Sequence, residues 1–102
     1  MPEKVMPHNI EAEQSVLGSM FLSKTALEKS LENLTKDMFY LDSHSKIFEA
    51  INQLVDEGKP VDITTVTTKL KDKKWLKKVG DVEYLTEVIN SVPSARNINE
   101  YI

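Results

Sequence analysis

Residues 43–57 read SHSKIFEAINQLVDE and form the longest helical pattern in the chain. The apolar side chains of this stretch recur at three- and four-residue spacing, which predicts an α-helix with one buried face. They are Ile47, Phe48, Ile51, Leu54 and Val55. Gly58 follows as a residue that accepts the left-handed conformation of a helix end, and Pro60 prevents the helix from continuing.

The same spacing extends towards the N-terminus and predicts two further helices. The first runs from about Asn9 to Phe21, and Gly18 inside it predicts the close approach of another helix. The second begins at a capping box formed by Thr25 and Glu28. The side chains expected to face inward from the second helix are Leu27, Leu31 and Leu34.

Towards the C-terminus, two aspartates and a serine are placed as helix N-caps. Asp62 precedes a helix whose apolar residues are Ile63, Val66 and Leu70. Asp81 precedes a helix with Val82, Leu85, Val88 and Ile89 directed inward. Ser94 follows Pro93 and precedes a helix that reaches residue 102. The predicted fold class is all-α, a compact bundle-like orthogonal array of about six short helices. This single domain spans residues 9–102 behind an N-terminal arm of residues 1–8.

The composition indicates a small single domain and argues against disulfide-bonded, secreted and membrane proteins. A chain of 102 residues with 40% hydrophobic residues forms one modest core, and its net charge of −3 argues against a surface that binds phosphates throughout. The chain has no cysteine, which excludes disulfides and thiolate metal sites and suits the reducing cytoplasm. No apolar run is long enough for a signal peptide or a membrane span, so a cytoplasmic protein without membrane contact is expected.

Motifs for catalysis are missing from the sequence. The glycines at positions 18, 58 and 80 cannot build a phosphate-binding loop, so no cofactor site is predicted. His8 and His44 have no companion at metal-ligand spacing, and both are expected on the surface. Glu11 and Glu13 are poorly spaced for an acid/base pair and are expected, with Gln14, on a solvated face. The sequence therefore predicts no catalytic or metal residue and no enzyme activity for this segment.

A lysine-rich segment surrounds Trp75 and leaves two interpretations open. It contains Lys69, Lys71, Lys73, Lys74, Lys77 and Lys78, opposed only by Asp72. In one interpretation, a small helical nucleic-acid-binding domain uses Lys73, Lys74, Trp75, Lys77 and Lys78 to neutralise phosphates and stack a base. In the other, which the negative net charge favours, Trp75 and Leu76 pack on the core and the lysines stay hydrated.

Tyr84 also has two interpretations. A tyrosine early in a helix can present a rigid amphipathic ring to a partner, or it can fill the core.

Four ordered segments together resemble the N-terminal head domain of the bacterial replicative DNA helicase, the DnaB family. They are PHNIEAEQSVLGSMFL from Pro7, DMFYLDSHSKIFEAI from Asp37, GKPVDITTVTTKL from Gly58 and YLTEVINSVPSARNINEYI from Tyr84. The resemblance extends from about Val5 onward. One departure is that the family's paired glycine before the tyrosine segment reads Val79 and Gly80 here.

The resemblance implies a domain that performs no chemistry itself. In that family the head is a protomer of a collar on a hexameric, ATP-driven motor that encircles single-stranded DNA, and the heads pair as dimers. The C-terminal helicase-binding domain of primase docks on the collar. ATP and Mg²⁺ belong to the RecA-like motor domain, which, like the helical hairpin and linker, is expected to follow residue 102 in the whole protein. Glu11 and Tyr84 match positions where the family's head is thought to meet primase.

Overall fold

The computed structural model describes residues 9–92 and contains six α-helices in that range. In chain order they are α1 (Ile10–Leu22), α2 (Lys24–Asn33), α3 (Asp42–Asp56), α4 (Ile63–Asp72), α5 (Leu76–Val79) and α6 (Asp81–Asn90), with a 3₁₀ turn at Lys36–Met38 between α2 and α3. The described part of the chain has no strand, so the predicted all-α fold is confirmed. The predicted N-terminal arm, His8 and the predicted helix after Ser94 lie outside the described residues.

Helix α3 lies at the centre of the core, in contact with α1, α4 and α5. Its apolar face was predicted correctly, because Ile47, Phe48, Ile51 and Leu54 are buried. The other helices complete the core with Leu17, Met20, Val66, Leu70, Val79, Leu85 and Val88, and Phe39 adds a ring from the loop before α3. Val55 was wrongly placed in the core: it is 37% exposed, because its side chain lines an open groove beside α2.

Gly18 allows α1 and α6 to pack closely. A Cβ atom at this position would overlap the backbone carbonyl oxygen of Val88 and the side chain of Val92. The predicted close approach is confirmed, and the neighbour is a helix of the same chain. Since a backbone carbonyl in a helix cannot move aside easily, the α1–α6 distance depends on the missing side chain.

The ends of α3 and the start of α4 follow the predicted capping chemistry. Gly58 has φ 74°, and the N–H groups of Gly58 and Lys59 donate to the carbonyls of Val55 and Leu54 at 3.0 and 2.9 Å. This pair of bonds is a Schellman motif. At α4, the Asp62 carboxylate accepts the Thr65 N–H at 2.8 Å while the Thr65 hydroxyl accepts the Asp62 N–H at 3.0 Å. The predicted Asp62 N-cap is confirmed.

Two predicted helix starts are wrong. Only Ser23 separates α2 from α1, and it caps α2 by accepting the Ala26 N–H at 3.1 Å. Ser23 is also the C-cap of α1, so Thr25 already lies inside the helix and cannot form a capping box with Glu28.

The start of α6 differs in a similar way from the prediction. Gly80 occupies the N-cap position with φ 108°, and Asp81, predicted as the cap, is the first helical residue with φ 66°. Within residues 9–92, its carboxylate accepts the adjacent Val82 N–H at 2.8 Å and no other N–H group. Val82, predicted to point inward, is 39% exposed.

The lysine-rich connection contains a helix that the sequence pattern did not predict. Helix α4 ends in the same Schellman motif as α3, because the N–H groups of Lys74 and Trp75 donate to the carbonyls of Lys71 and Leu70 at 3.0 and 2.8 Å. Lys74 takes the left-handed position with φ 64°, where α3 has Gly58. Without a glycine to mark this turn, the sequence did not indicate that α4 ends and α5 begins here.

Gly18→Ala is expected to lower the free energy of unfolding by about 1–3 kcal/mol, because the new methyl group forces α1 and α6 apart. Urea denaturation followed by circular dichroism measures this change. Lys29→Ala, at an exposed position of α2, serves as the control and should shift stability by less than about 0.5 kcal/mol. Equal unfolding midpoints for the two variants would contradict the close packing at Gly18.

Lys74→Gly is expected to raise the free energy of unfolding by about 0.5–1 kcal/mol. Relief of a left-handed lysine gains about 1–2 kcal/mol, and the greater freedom of glycine in the unfolded chain offsets part of it. Lys71→Gly, inside α4, removes the same side chain but should destabilise by about 1 kcal/mol. A loss of stability in both variants would contradict the assigned strain at Lys74.

Candidate functional site

A polar cluster inside the domain connects α1, α3 and α6. Its centre is His44, whose side chain is fully buried. His44 Nδ1 lies 2.8 Å from the Glu13 carboxylate, and Nε2 lies 2.6 Å from the Tyr84 hydroxyl. Gln14 Nε2 donates to the same hydroxyl at 2.9 Å. The imidazole and phenol rings stack, with centroids 5.8 Å apart.

One order of hydrogen bonds gives both ring nitrogens of His44 and the Tyr84 hydroxyl a partner. The Gln14 amide donates to the Tyr84 oxygen, the Tyr84 O–H donates to His44 Nε2, and Nδ1–H donates to Glu13. This order requires a neutral imidazole protonated on Nδ1. The hydrogen bonds therefore run in series from Gln14 through Tyr84 and His44 to the Glu13 carboxylate. Both nitrogens of the buried imidazole have a partner.

The Glu13 carboxylate also holds the chain just before α3. Its Oε2 atom accepts the Tyr40 N–H at 2.6 Å, and the Leu41 N–H lies 3.5 Å from Oε1. Leu41 is the N-cap of α3 and has no side-chain cap of its own. A negative charge at this end of α3 is favoured by the helix dipole. Glu13 therefore connects α1 to the start of the central helix.

The predicted exposure of three of these residues is wrong. His44 was expected on the surface and is buried, and Glu13 was expected on a solvated face but has a side chain only 15% exposed. Gln14 is likewise half-buried instead of solvated. A signal for His44 was present, because it precedes Ile47 and Ile51 at i, i+3 and i+7 on the buried face of α3.

The two residues predicted to meet a partner lie on adjoining helices. Glu11 is exposed in the first turn of α1, and Tyr84 is half-buried on α6 with its hydroxyl inside the polar cluster. Gln14, one turn after Glu11, bonds directly to Tyr84, so the structure brings the two predicted positions to one side of the α1–α6 pair. The Tyr84 ring also packs against the core, which matches the core interpretation of this residue.

The residues of the alternative nucleic-acid site are carried by α4, α5 and the turn between them. Lys74, Lys77 and Lys78 are exposed, Lys73 is partly exposed, and Trp75 is half-buried against the core with Leu76. Trp75 and Leu76 pack against the core, as the favoured interpretation predicted. The ammonium groups of Lys73 and Lys46 lie 4.6 and 5.3 Å from the centroid of the indole ring.

Residues 9–92 contain neither a candidate metal site nor a membrane-spanning helix. No group of three or more histidine, aspartate and glutamate side chains in this range could hold a metal ion. None of the helices in the same range has the length and hydropathy needed to cross a membrane.

A family model described as the DnaB-like helicase N-terminal domain matches residues 5–102. The chain belongs to this family. The resemblance stated from four sequence segments is thereby confirmed. Among the curated relatives, the replicative DNA helicase DnaC of Bacillus subtilis (strain 168) is 48% identical over 99 residues. The replicative DNA helicase DnaB of Geobacillus stearothermophilus is 43% identical over 99 residues.

Solved structures of the DnaB-like family agree with the fold described above. The crystal structure of the N-terminal domain of DnaB helicase from Mycobacterium tuberculosis matches with a TM-score of 0.83 at 40% identity, covering 93% of this chain and 66% of that chain. The alignments with the Bacillus and Geobacillus helicases each cover 97% of this chain but 22% of the relative. The chain therefore spans about a fifth of the length of these helicases.

Glu13→Gln is expected to lower the free energy of unfolding of this DnaB-like domain by about 1.5–3 kcal/mol. The change removes the charge that accepts the His44 and Tyr40 N–H groups, and hydrogen bonds to charged groups have about this value. Glu11→Gln makes the same substitution at an exposed position two residues earlier and should change stability by less than about 0.5 kcal/mol. Chemical denaturation compares the two, and equal midpoints would contradict the role of Glu13.

Proposed function

We propose that this domain is a non-catalytic assembly and primase-recruitment domain of a hexameric, ATP-dependent replicative DNA helicase that acts at the replication fork. Membership of the DnaB-like family and relatives named as replicative helicases support this proposal. The domain would form one protomer of a collar, pair as dimers within the hexamer and dock the C-terminal helicase-binding domain of primase. ATP, Mg²⁺ and the translocated DNA strand are assigned to the motor part of the whole protein, which acts in the cytoplasm.

The hydrogen bond between Gln14 and Tyr84 is the observation that supports the docking face most directly. It joins α1 to α6 at 2.9 Å, and Glu11 lies one turn before Gln14 on α1. The exposed Glu11 carboxylate and the half-buried Tyr84 ring consequently belong to one surface, which we call the α1–α6 face. Two rigid helices held in a fixed relation provide a preorganised surface for a partner.

Charge on the α1–α6 face indicates what kind of partner surface it would bind. Helices α1 and α6 contain acidic residues and no lysine or arginine. The acidic residues are Glu11, Glu13, Asp81, Glu83 and Glu87. Since complementary charge speeds association and selects partners, the docking surface of primase is expected to be basic. Glu11 would orient this surface.

Tyr84 can contribute to docking in two distinguishable ways. A direct contact would use the ring, whereas a positioning role would use the hydroxyl that bonds His44 and Gln14. We assign the positioning role to the hydroxyl, because both of its neighbours are inside the polar cluster. Tyr84→Phe keeps the ring and removes the hydroxyl, so it separates the two contributions.

An amide chemical-shift titration of the labelled domain with the primase C-terminal domain tests this function. Shifts are expected to cluster in α1 and α6. Glu11→Lys should raise the dissociation constant about tenfold, because a favourable ion pair of up to ~1 kcal/mol becomes a repulsive pair of like charges. Glu28→Lys, at an exposed position of α2, makes the same charge reversal as a control and should bind normally. Tyr84→Phe should weaken binding and shift the Gln14 side-chain amide.

The proposal fails in two recognisable ways. If the primase domain causes no shifts at high concentration, this domain does not recruit primase. If Glu11→Lys and Glu28→Lys weaken binding equally, the effect comes from net charge and the α1–α6 face is not the docking site. Sedimentation of the domain and of the whole protein tests the assembly role separately.

A further inference from the structure

The positive charge of this domain is concentrated in one segment. Residues 69–78 contain six lysines and one aspartate, so this segment has five net positive charges. The whole chain has a net charge of −3, and the other residues therefore carry eight net negative charges. A cationic surface on an acidic domain is a local feature that the proposed docking of primase does not use.

Four lysines of this segment are available to an anion. Lys71, Lys74, Lys77 and Lys78 are exposed, and no acidic side chain within residues 9–92 forms an ion pair with them. We call these four residues the lysine face. Lys69 differs, because it bonds Glu57 at 2.8 Å, and this hydrogen bond lowers the pKa of the Glu57 carboxyl below its ordinary value.

Lys74 is held in a conformation that disfavours lysine. It has φ 64° at the end of α4, in the hydrogen-bonding pattern that Gly58 completes at the end of α3. Glycine adopts this conformation without the steric penalty of a side chain. Strained backbone conformations in folded proteins cluster at binding and active sites.

The apolar residues of the segment are directed into the domain. Leu70 and Val79 are buried, and Trp75 and Leu76 pack against the core. Protein interfaces usually need an exposed apolar or aromatic anchor and are depleted of lysine. The segment also has no arginine, the residue that binds carboxylates through two parallel hydrogen bonds. These features favour a phosphate-rich partner over an acidic protein.

Trp75 is engaged within the domain and does not offer a free ring to a base. The Lys73 and Lys46 ammonium groups lie over the indole at 4.6 and 5.3 Å. These cation–π contacts connect the turn before α5 to α3, which carries Lys46. The arrangement provides positive charge without a stacking platform.

We propose that the lysine face binds the phosphodiester backbone of single-stranded nucleic acid without reading its bases. The four lysines would neutralise phosphates as point charges, while the acidic remainder of the domain keeps the strand on this face. Binding by four such contacts gives a slope of about −2.8 for log affinity against log salt concentration on a single strand. This interaction is independent of the primase docking proposed above.

Fluorescence anisotropy of a labelled oligothymidylate of about twenty nucleotides, long enough for a typical strand-binding site, measures the affinity at several salt concentrations. Lys74→Gln with Lys77→Gln should weaken binding on the order of tenfold or more at low salt and reduce the slope by about 1.4. Lys24→Gln with Lys29→Gln removes the same charge from exposed positions of α2 and should leave both values unchanged. Lys74→Gly should weaken binding while it raises stability, which a purely structural role would not produce.

Three outcomes would overturn the proposal. They are no binding of the oligothymidylate at low salt, equal weakening by the α2 control pair, and competition by a polyglutamate peptide as strong as that by unlabelled oligothymidylate of equal charge. The first outcome removes the site, the second assigns the effect to net charge, and the third assigns the lysine face to acidic proteins. None of these outcomes would change the interpretation of the primase titration, which tests the α1–α6 face.

Discussion

The hydrogen bonds of His44 determine how the three helices around it are arranged. Its two ring nitrogens bond Glu13 of α1 and Tyr84 of α6, while its own backbone belongs to α3. A fully buried imidazole must have partners on both sides, because an unpaired polar group in the interior costs about 1–3 kcal/mol. Apolar packing alone would tolerate small rotations of these helices, whereas the hydrogen bonds allow one arrangement. The hydrogen bonds of His44 therefore also fix the geometry of the α1–α6 face.

Charge is distributed over the surface in two opposite ways. All charged residues of α1 and α6 are acidic. In the segment of residues 69–78, every charged residue except Asp72 is a lysine. Both regions are supported by interactions inside the domain, the first by the polar cluster and the second by cation–π contacts and the Schellman turn at Lys74. The same small core therefore supports an acidic surface and a basic surface.

The periodic features of the fold could be predicted from sequence, and the contacts between distant residues could not. Ile47 and Ile51 repeat at helical spacing, and Asp62 and Gly58 have local capping roles, so the nearby residues determine their structure. The bonds from Glu13 to His44 and from Gln14 to Tyr84 join residues 31 and 70 positions apart. No short pattern contains such pairs: helical spacing places His44 on the buried face of α3, but it does not name the partners of the imidazole. Family resemblance located Tyr84, but only the structure assigns its hydroxyl to the polar cluster.

The junction between α1 and α2 has no spare length. Ser23 ends one helix and begins the next, since its N–H bonds the Ser19 carbonyl and its hydroxyl accepts the Ala26 N–H. One residue inserted after Ser23 would turn α2 by about 100° around its axis and direct Leu27 and Leu31 away from the core. During evolution, insertions in this domain should therefore accumulate elsewhere, for example in the open loop after α3, whereas the corner at Ser23 keeps a fixed length.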